Sequence, residues 1–190
     1  MPMSRLEMLA APLLVAVIAV AAHAESGKFG LGRVPTDQEI AGWNIDIGRD
    51  GEGLPPGSGS VQEGRAMFAE KCASCHGEKG EGGVGDRLVG GQGTLTSAKP
   101  VKTVGSFWPY APTLFDYIRR AMPMNAPQSL GNPEVYALSA YILNLNGLVA
   151  DDATLDAKSL AAIKMPNRDG FVGDPRPDVK NEACTSNCKN

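Results

Sequence analysis

The strongest constraint on this chain is the run Cys72-Ala73-Ser74-Cys75-His76. Two thiols separated by two residues can each add across a vinyl group of one haem, and the adjacent histidine then lies close enough to bind the iron. A zinc half-site or a redox-active dithiol would use the same Cys-x-x-Cys spacing. Zinc needs more ligands, and the remaining cysteines, Cys184 and Cys188, lie far along the chain. The expectation is therefore one covalently attached haem c, held by Cys72 and Cys75 with His76 as the proximal iron ligand.

Before the motif lies a segment to be set aside. Met8 to Ala22 is an apolar run behind a short region carrying Arg5, and it ends in Ala22-His23-Ala24, the small-x-small pattern cut by signal peptidase. The run is short for a permanent membrane helix, so residues 1–24 are expected to be a signal peptide. The mature chain would begin at Glu25, soluble and periplasmic. No later apolar stretch is long enough to span a bilayer. The net charge of −3, to which a haem would add two propionates, gives no reason to expect a nucleic-acid partner. Glycine and proline concentrate in 48–59 and 77–112, which predicts long loops around a bound group rather than continuous sheet.

Residues 25–59 show no sustained periodicity and read as an extended arm. Within it Trp43, Ile45 and Ile47 alternate as a short strand would, or as anchors laid on a surface. A helix is expected from Ser60, where Ser60 and Glu63 form a capping box and Val61, Met67 and Phe68 supply an apolar face leading into Cys72. A second covers about Thr113 to Ala121, capped by Thr113 and stopped by Pro123. A third starts at Asn132-Pro133-Glu134, carries Val135, Leu138, Tyr141, Ile142 and Leu145 at helical spacing, and closes at Gly147. A weaker helix is expected over Leu155 to Ile163, followed by an irregular, proline-rich tail. The fold class is all-α, with a haem domain at 60–147, irregular extensions, and a tail at 148–190.

The histidine count bears on the other side of the iron. The chain has two histidines; His23 leaves with the leader, so the sixth ligand is a methionine or the site is open. Met67 precedes the cysteines on their own helix and is best explained as core filling. Met122 and Met124 lie in the loop Ala121-Met122-Pro123-Met124-Asn125-Ala126-Pro127, and Met165 lies beyond the closing helix. Met122 ranks first, then Met124, then Met165. If both axial positions are filled, no place remains on the iron for a substrate, and the site suits electron transfer rather than catalysis. Trp108, Tyr110, Phe115, Tyr117, Tyr136 and Tyr141 are candidate pocket walls or ordinary core, and Arg119 or Arg120 could approach a propionate. Cys184 and Cys188 would pair with each other in an oxidising compartment, bridge to a partner or, less readily, bind metal.

The order helix, Cys-x-x-Cys-His, loop, helix, methionine loop, closing helix resembles class I cytochrome c. Longer phrases are more specific: Gly53-Leu54-Pro55-Pro56-Gly57-Ser58-Gly59-Ser60, Thr103 to Ala111, Phe115 to Pro123, and Met165 to Phe171. These are similar to the cytochrome subunits, SoxD, of sulfane dehydrogenases in the Sox sulfur-oxidising system, and the cysteine pair at the end looks similar too. The resemblance implies crossing first and last helices, with Cys72, Cys75, His76 and Met122 as haem residues. It also implies a molybdenum-containing dehydrogenase subunit as partner, with a downstream cytochrome receiving the electrons. Some members carry a second haem domain, which this sequence lacks. A free-standing carrier and an open-site haem enzyme are the competing functions; extensions folded back on their own domain would favour the carrier.

Overall fold

The computed structural model describes residues 31–175; the expected signal peptide and the Cys184–Cys188 pair lie outside the described residues. The chain divides into two units, one ending at Asn44 and one beginning at Ile45.

The described part of the first unit holds helix α1, Asp37–Trp43. Thr36 and Glu39 cap it reciprocally, the Thr36 amide donating to Glu39 Oε2 at 2.8 Å and the Glu39 amide to Thr36 Oγ1 at 3.3 Å. The Arg33 guanidinium also grips the Glu39 carboxylate. That ion pair, with the Thr36 donors, holds the Glu39 carboxyl down at about 2. The alternation of Trp43, Ile45 and Ile47 is thus not a strand: Trp43 completes the last turn of a helix that starts with the same capping signature as Ser60 and Glu63. The helix buries none of its residues, and Trp43 stands 88% exposed.

The second unit contains, in chain order, β1 (Ser58–Ser60), α2 (Val61–Lys71), α3 (Ala73–His76), α4 (Val104–Phe107), α5 (Ala111–Ala121), α6 (Asn132–Leu145), β2 (Thr154–Asp156) and α7 (Ala157–Ala161). Its architecture is helical, with β1 and β2 forming one small antiparallel pair in which Gly59 faces Leu155. The expected Ser60–Glu63 box starts α2: the Ser60 amide donates to Glu63 Oε2 at 2.8 Å and the Glu63 amide to Ser60 Oγ at 3.2 Å. Ser60→Ala removes the acceptor of an otherwise unpaired helix donor, and thermal denaturation is expected to show a loss of about 1 kcal/mol.

Helices α2 and α6 cross at near backbone contact. The close approach is made by Gly64, where an added Cβ would lie 1.9 Å from the Ala137 carbonyl oxygen, and by Gly59 in β1, where one would lie 2.3 Å from the Ala137 amide nitrogen. One turn further, Phe68 and Tyr141 meet edge to face at 5.4 Å. Phe68, Phe115, Tyr136, Leu138 and Leu143 are fully buried; each contributes roughly 1.5–3 kcal/mol by leaving water.

Three element boundaries differ from expectation. Helix α5 starts at Ala111, with Tyr110 as N-cap and Pro112 in the first turn, two residues before Thr113; proline costs nothing there because its missing amide has no helical partner. Gly131, not Asn132, caps α6, its amide donating to Glu134 Oε2 at 2.8 Å. Leu155 and Asp156, the first two positions of the expected last helix, pair with β1 together with Thr154 instead, so α7 begins only at Ala157. Gly147 closes α6 as expected. With φ at +71° it donates to Asn144 O, while Leu148 donates to Leu143 O, the two bonds of a Schellman motif.

Part of both extensions folds onto this unit rather than standing away from it. Ile47 and Leu54 pack against the core, and the Tyr136 hydroxyl donates to Pro55 O at 2.8 Å. On the other side Met165 is buried, Asn167 Nδ2 donates to Phe107 O at 2.7 Å, and Phe171 meets Phe107 at 5.2 Å.

Candidate haem-attachment site

The motif occupies the turn where α2 ends and α3 begins. Cys72 is the C-cap of α2, its amide donating to Phe68 O, and the Cys75 and His76 amides both donate to Cys72 O. Gly77 then reverses the chain at φ +82°, a conformation that an L side chain resists. The loop it opens returns at once to the motif. The Gly82 amide donates to His76 O at 2.7 Å, and the Gly85 amide to Cys75 O at 2.8 Å.

This return fixes the imidazole. His76 Nδ1 lies 2.6 Å from Asp86 O. A carbonyl can only accept, so Nδ1 carries the hydrogen and Nε2 keeps its lone pair for a metal. Gly85 flanks the ring so closely that a Cβ there would sit 3.0 Å from Cε1 and 3.1 Å from Nδ1. The ring is held on one edge by a carbonyl and along its side by bare backbone, as an axial ligand needs to be.

The thiols discriminate between the possible uses of Cys-x-x-Cys. Both are free, Cys75 exposed and Cys72 half-buried. Burial pushes the Cys72 thiol up to about 11, against the opposing pull of Lys71. That is the opposite of what an attacking thiolate at Cys72 would need. Among the described residues no group of three or more His, Cys, Asp or Glu side chains is placed to hold a metal ion. A haem fits better: two thiols three residues apart beside a fixed imidazole, with Cys72 and Ala73 of the motif itself partly buried against the core.

The three methionines differ in setting. Met122 is the C-cap of α5, half-buried against the core, and its peptide bond to Pro123 is cis. Met124 follows in a turn closed by Ala126 N donating to Pro123 O, and is 80% exposed. Met165 is 3% exposed within the core. Met67 packs against the core, as its position on α2 leads one to expect.

Phe115, Tyr136 and Tyr141 are core residues; Trp108 meets Tyr117 edge to face at 5.7 Å. Arg120 is committed to the protein itself. Its Nε donates to Asp116 Oδ1 at 2.8 Å, and its Nη2 to Asp46 Oδ1 at 2.8 Å and Ile45 O at 3.0 Å. The guanidinium so ties 45–46 to the helix leading into Met122. Sequence reasoning missed Asp86 and Asn146, which have no motif of their own. Asn146 holds the loop after the motif at Leu88 O and Gly90 N.

Among the described residues no helix is long and apolar enough to cross a membrane. The cytochrome c family model matches residues 61–146. No curated protein matches the chain. Among solved structures, a chain of the sulfane dehydrogenase SoxCD from Paracoccus pantotrophus is similar, with a TM-score of 0.75 and 43% sequence identity over 86% of this chain and 83% of that one. The motif turn, the fixed imidazole and these two likenesses agree: the chain belongs to the class I c-type cytochromes, an electron-transfer family that binds haem c covalently.

Proposed function

We propose that this protein is a periplasmic, single-haem electron acceptor for a molybdenum-containing sulfur-compound dehydrogenase subunit, passing electrons on to a downstream cytochrome. The observation that carries the reading is the 43% identity to a chain of a sulfane dehydrogenase across 86% of this one. The similarity extends well past the cytochrome c match at 61–146, into the segments that a minimal carrier would not need.

When bound, the haem would accept and release single electrons. The chain's own contribution is to hold it and to tune it. Cys72 and Cys75 tether it, and His76 offers Nε2 while Asp86 O keeps Nδ1 protonated. We assign the second axial position to Met122, whose half-buried place at the end of α5 contrasts with the exposed Met124 and the core-enclosed Met165. A thioether there favours the ferrous state.

A free-standing carrier is the second reading. It is favoured by the return of 45–59 and 163–171 onto their own unit. In favour of a fixed partner is the outer arm, where Leu31, Val34 and Trp43 are each more than four-fifths exposed.

Gentle purification from the native periplasm, followed by assay of molybdenum against haem iron and addition of sulfite or thiosulfate, separates the two. Stoichiometric molybdenum with substrate-driven haem reduction is the expected result. Haem alone, inert to both compounds and with no molybdenum subunit recovered after cross-linking before lysis, would favour the free carrier.

A further inference from the structure

The loop that fixes His76 is itself held from a distance by the side chains of Asn146 and Thr103. Asn146 follows the last turn of α6 and is 8% exposed. Its Nδ2 donates to Leu88 O at 3.1 Å and to Ile142 O at 2.9 Å. Its Oδ1 accepts from the Gly90 amide at 3.3 Å and from Gln92 Nε2 at 3.5 Å. The amide also lies flat against α4, where a Cβ on Gly105 would come 2.2 Å from Asn146 Oδ1. Every polar valence of this nearly buried group is spent: two of its four bonds reach the backbone of 88–90, one goes to the Gln92 side chain and one returns to Ile142 within α6.

That stretch is continuous with the imidazole's support. Leu88 stands two residues after Asp86, whose carbonyl faces His76 Nδ1 at 2.6 Å. The Leu88 and Val89 amides donate to Gly80 O at 2.8 and 3.2 Å, closing the loop that began at His76. The other side chain on this stretch is Thr103, whose Oγ1 donates to Gly90 O at 2.6 Å, four residues from Asp86. Among the described residues, Asn146 is the side chain that hydrogen-bonds Leu88 O.

We propose that Asn146 is a positioning residue for His76: it clamps 88–90 to α6, keeps Asp86 O against Nδ1, and so sets the donor strength of the axial imidazole. The proposal rests on the haem reading of the site. A firm bond from Nδ1–H to a carbonyl makes Nε2 a stronger donor and favours the ferric state. Loosening it therefore raises the reduction potential.

The test uses the full-length haem-loaded protein as Asn146→Ala, with Ser139→Ala as control. Ser139 is also buried on α6, and its Oγ donates only to Val135 O within the helix, at 2.7 Å. Two quantities are read, the solvent exchange rate of the His76 Nδ1 proton by nitrogen-15 NMR of the reduced protein, and the reduction potential. The expected result for Asn146→Ala is exchange roughly tenfold faster, equivalent to about 1.4 kcal/mol of opening, with a higher potential; Ser139→Ala leaves both at wild-type values. Unchanged exchange and potential in Asn146→Ala, or equal shifts in the two variants, would overturn the proposal. If Asn146→Ala does not accumulate, the near-isosteric Asn146→Asp, which cannot donate to Leu88 O, is read in the same way. Wild-type protein without covalently attached haem would instead refute the haem reading itself.

Discussion

Gly64→Ala is expected to destabilise the haem-loaded protein by about 3 kcal/mol, at the upper end of what overpacking costs in a close-packed interior. In an exposed helix the same change would be favourable by up to about 1 kcal/mol, because alanine is the better helix former. Here the sign reverses, since the new methyl would lie 1.9 Å from Ala137 O and 2.8 Å from the Tyr141 Cβ. Neither neighbour can turn away, one being helix backbone and the other the root of a buried side chain. Helices α2 and α6 must separate, and the Phe68–Tyr141 contact goes with them. For a unit of this size the loss corresponds to a fall in Tm of roughly 6–12 °C. Gly173→Ala, at a position with nothing within 4 Å of the new atom, is the matched control and is expected to leave Tm unchanged. Equal melting temperatures for Gly64→Ala and wild type would mean that the two helices do not cross at Gly64.

Met122→Leu is expected to abolish the weak near-infrared sulfur-to-iron band of the ferric protein and to lower its reduction potential, while Met124→Leu leaves both unchanged. Leucine preserves the volume packed against the core at the end of α5, so the fold survives and the readout is specific to the sulfur. Met122 is anchored by its amide, which donates to Ile118 O at 3.0 Å on the buried side of the helix. Losing a thioether removes a ligand that favours the ferrous iron, which fixes the direction of the potential change. The reverse pattern would move the assignment to Met124, and a band that survives both changes would move it to Met165. Wild-type protein without the band would point to an open iron and revive the enzyme reading.

Some of this was legible in single stretches of chain. The Cys72–His76 run reads directly because the spacing of two thiols and an imidazole within one turn is set by local backbone geometry. The Ser60–Glu63 box reads for the same reason, both partners lying in the first turn of α2. The equivalent Thr36–Glu39 signature does not stand out in the sequence, because the apolar residues behind it, Ile40 and Trp43, are too few to display a helical period. At the start of α5 Thr113 resembles a cap, whereas Pro112 is equally at home inside the first turn and the helix begins at Ala111.

The short β1–β2 pair was invisible because its strands are three residues each and nearly a hundred positions apart in the chain. Arg120 shows a deeper limit. Its sequence neighbourhood offered a haem propionate as a partner, and the structure spends it on Asp116, Asp46 and Ile45 O.

The sequence by itself carried the Cys72–His76 motif and the Ser60–Glu63 cap that starts α2, since each rests on groups within about one helical turn, and it carried the helical cytochrome fold in the order of its elements and its longer phrases. Only the tertiary structure decided which carbonyl accepts from His76 Nδ1, which side chain holds that carbonyl's loop, and where α2 can touch α6. Asp86 is 10 residues from His76, and Asn146 is 58 from Leu88. Contacts at such separations follow from how the whole core closes, and the packing of Gly64 against Ala137 is one place where two helices close onto each other's backbone.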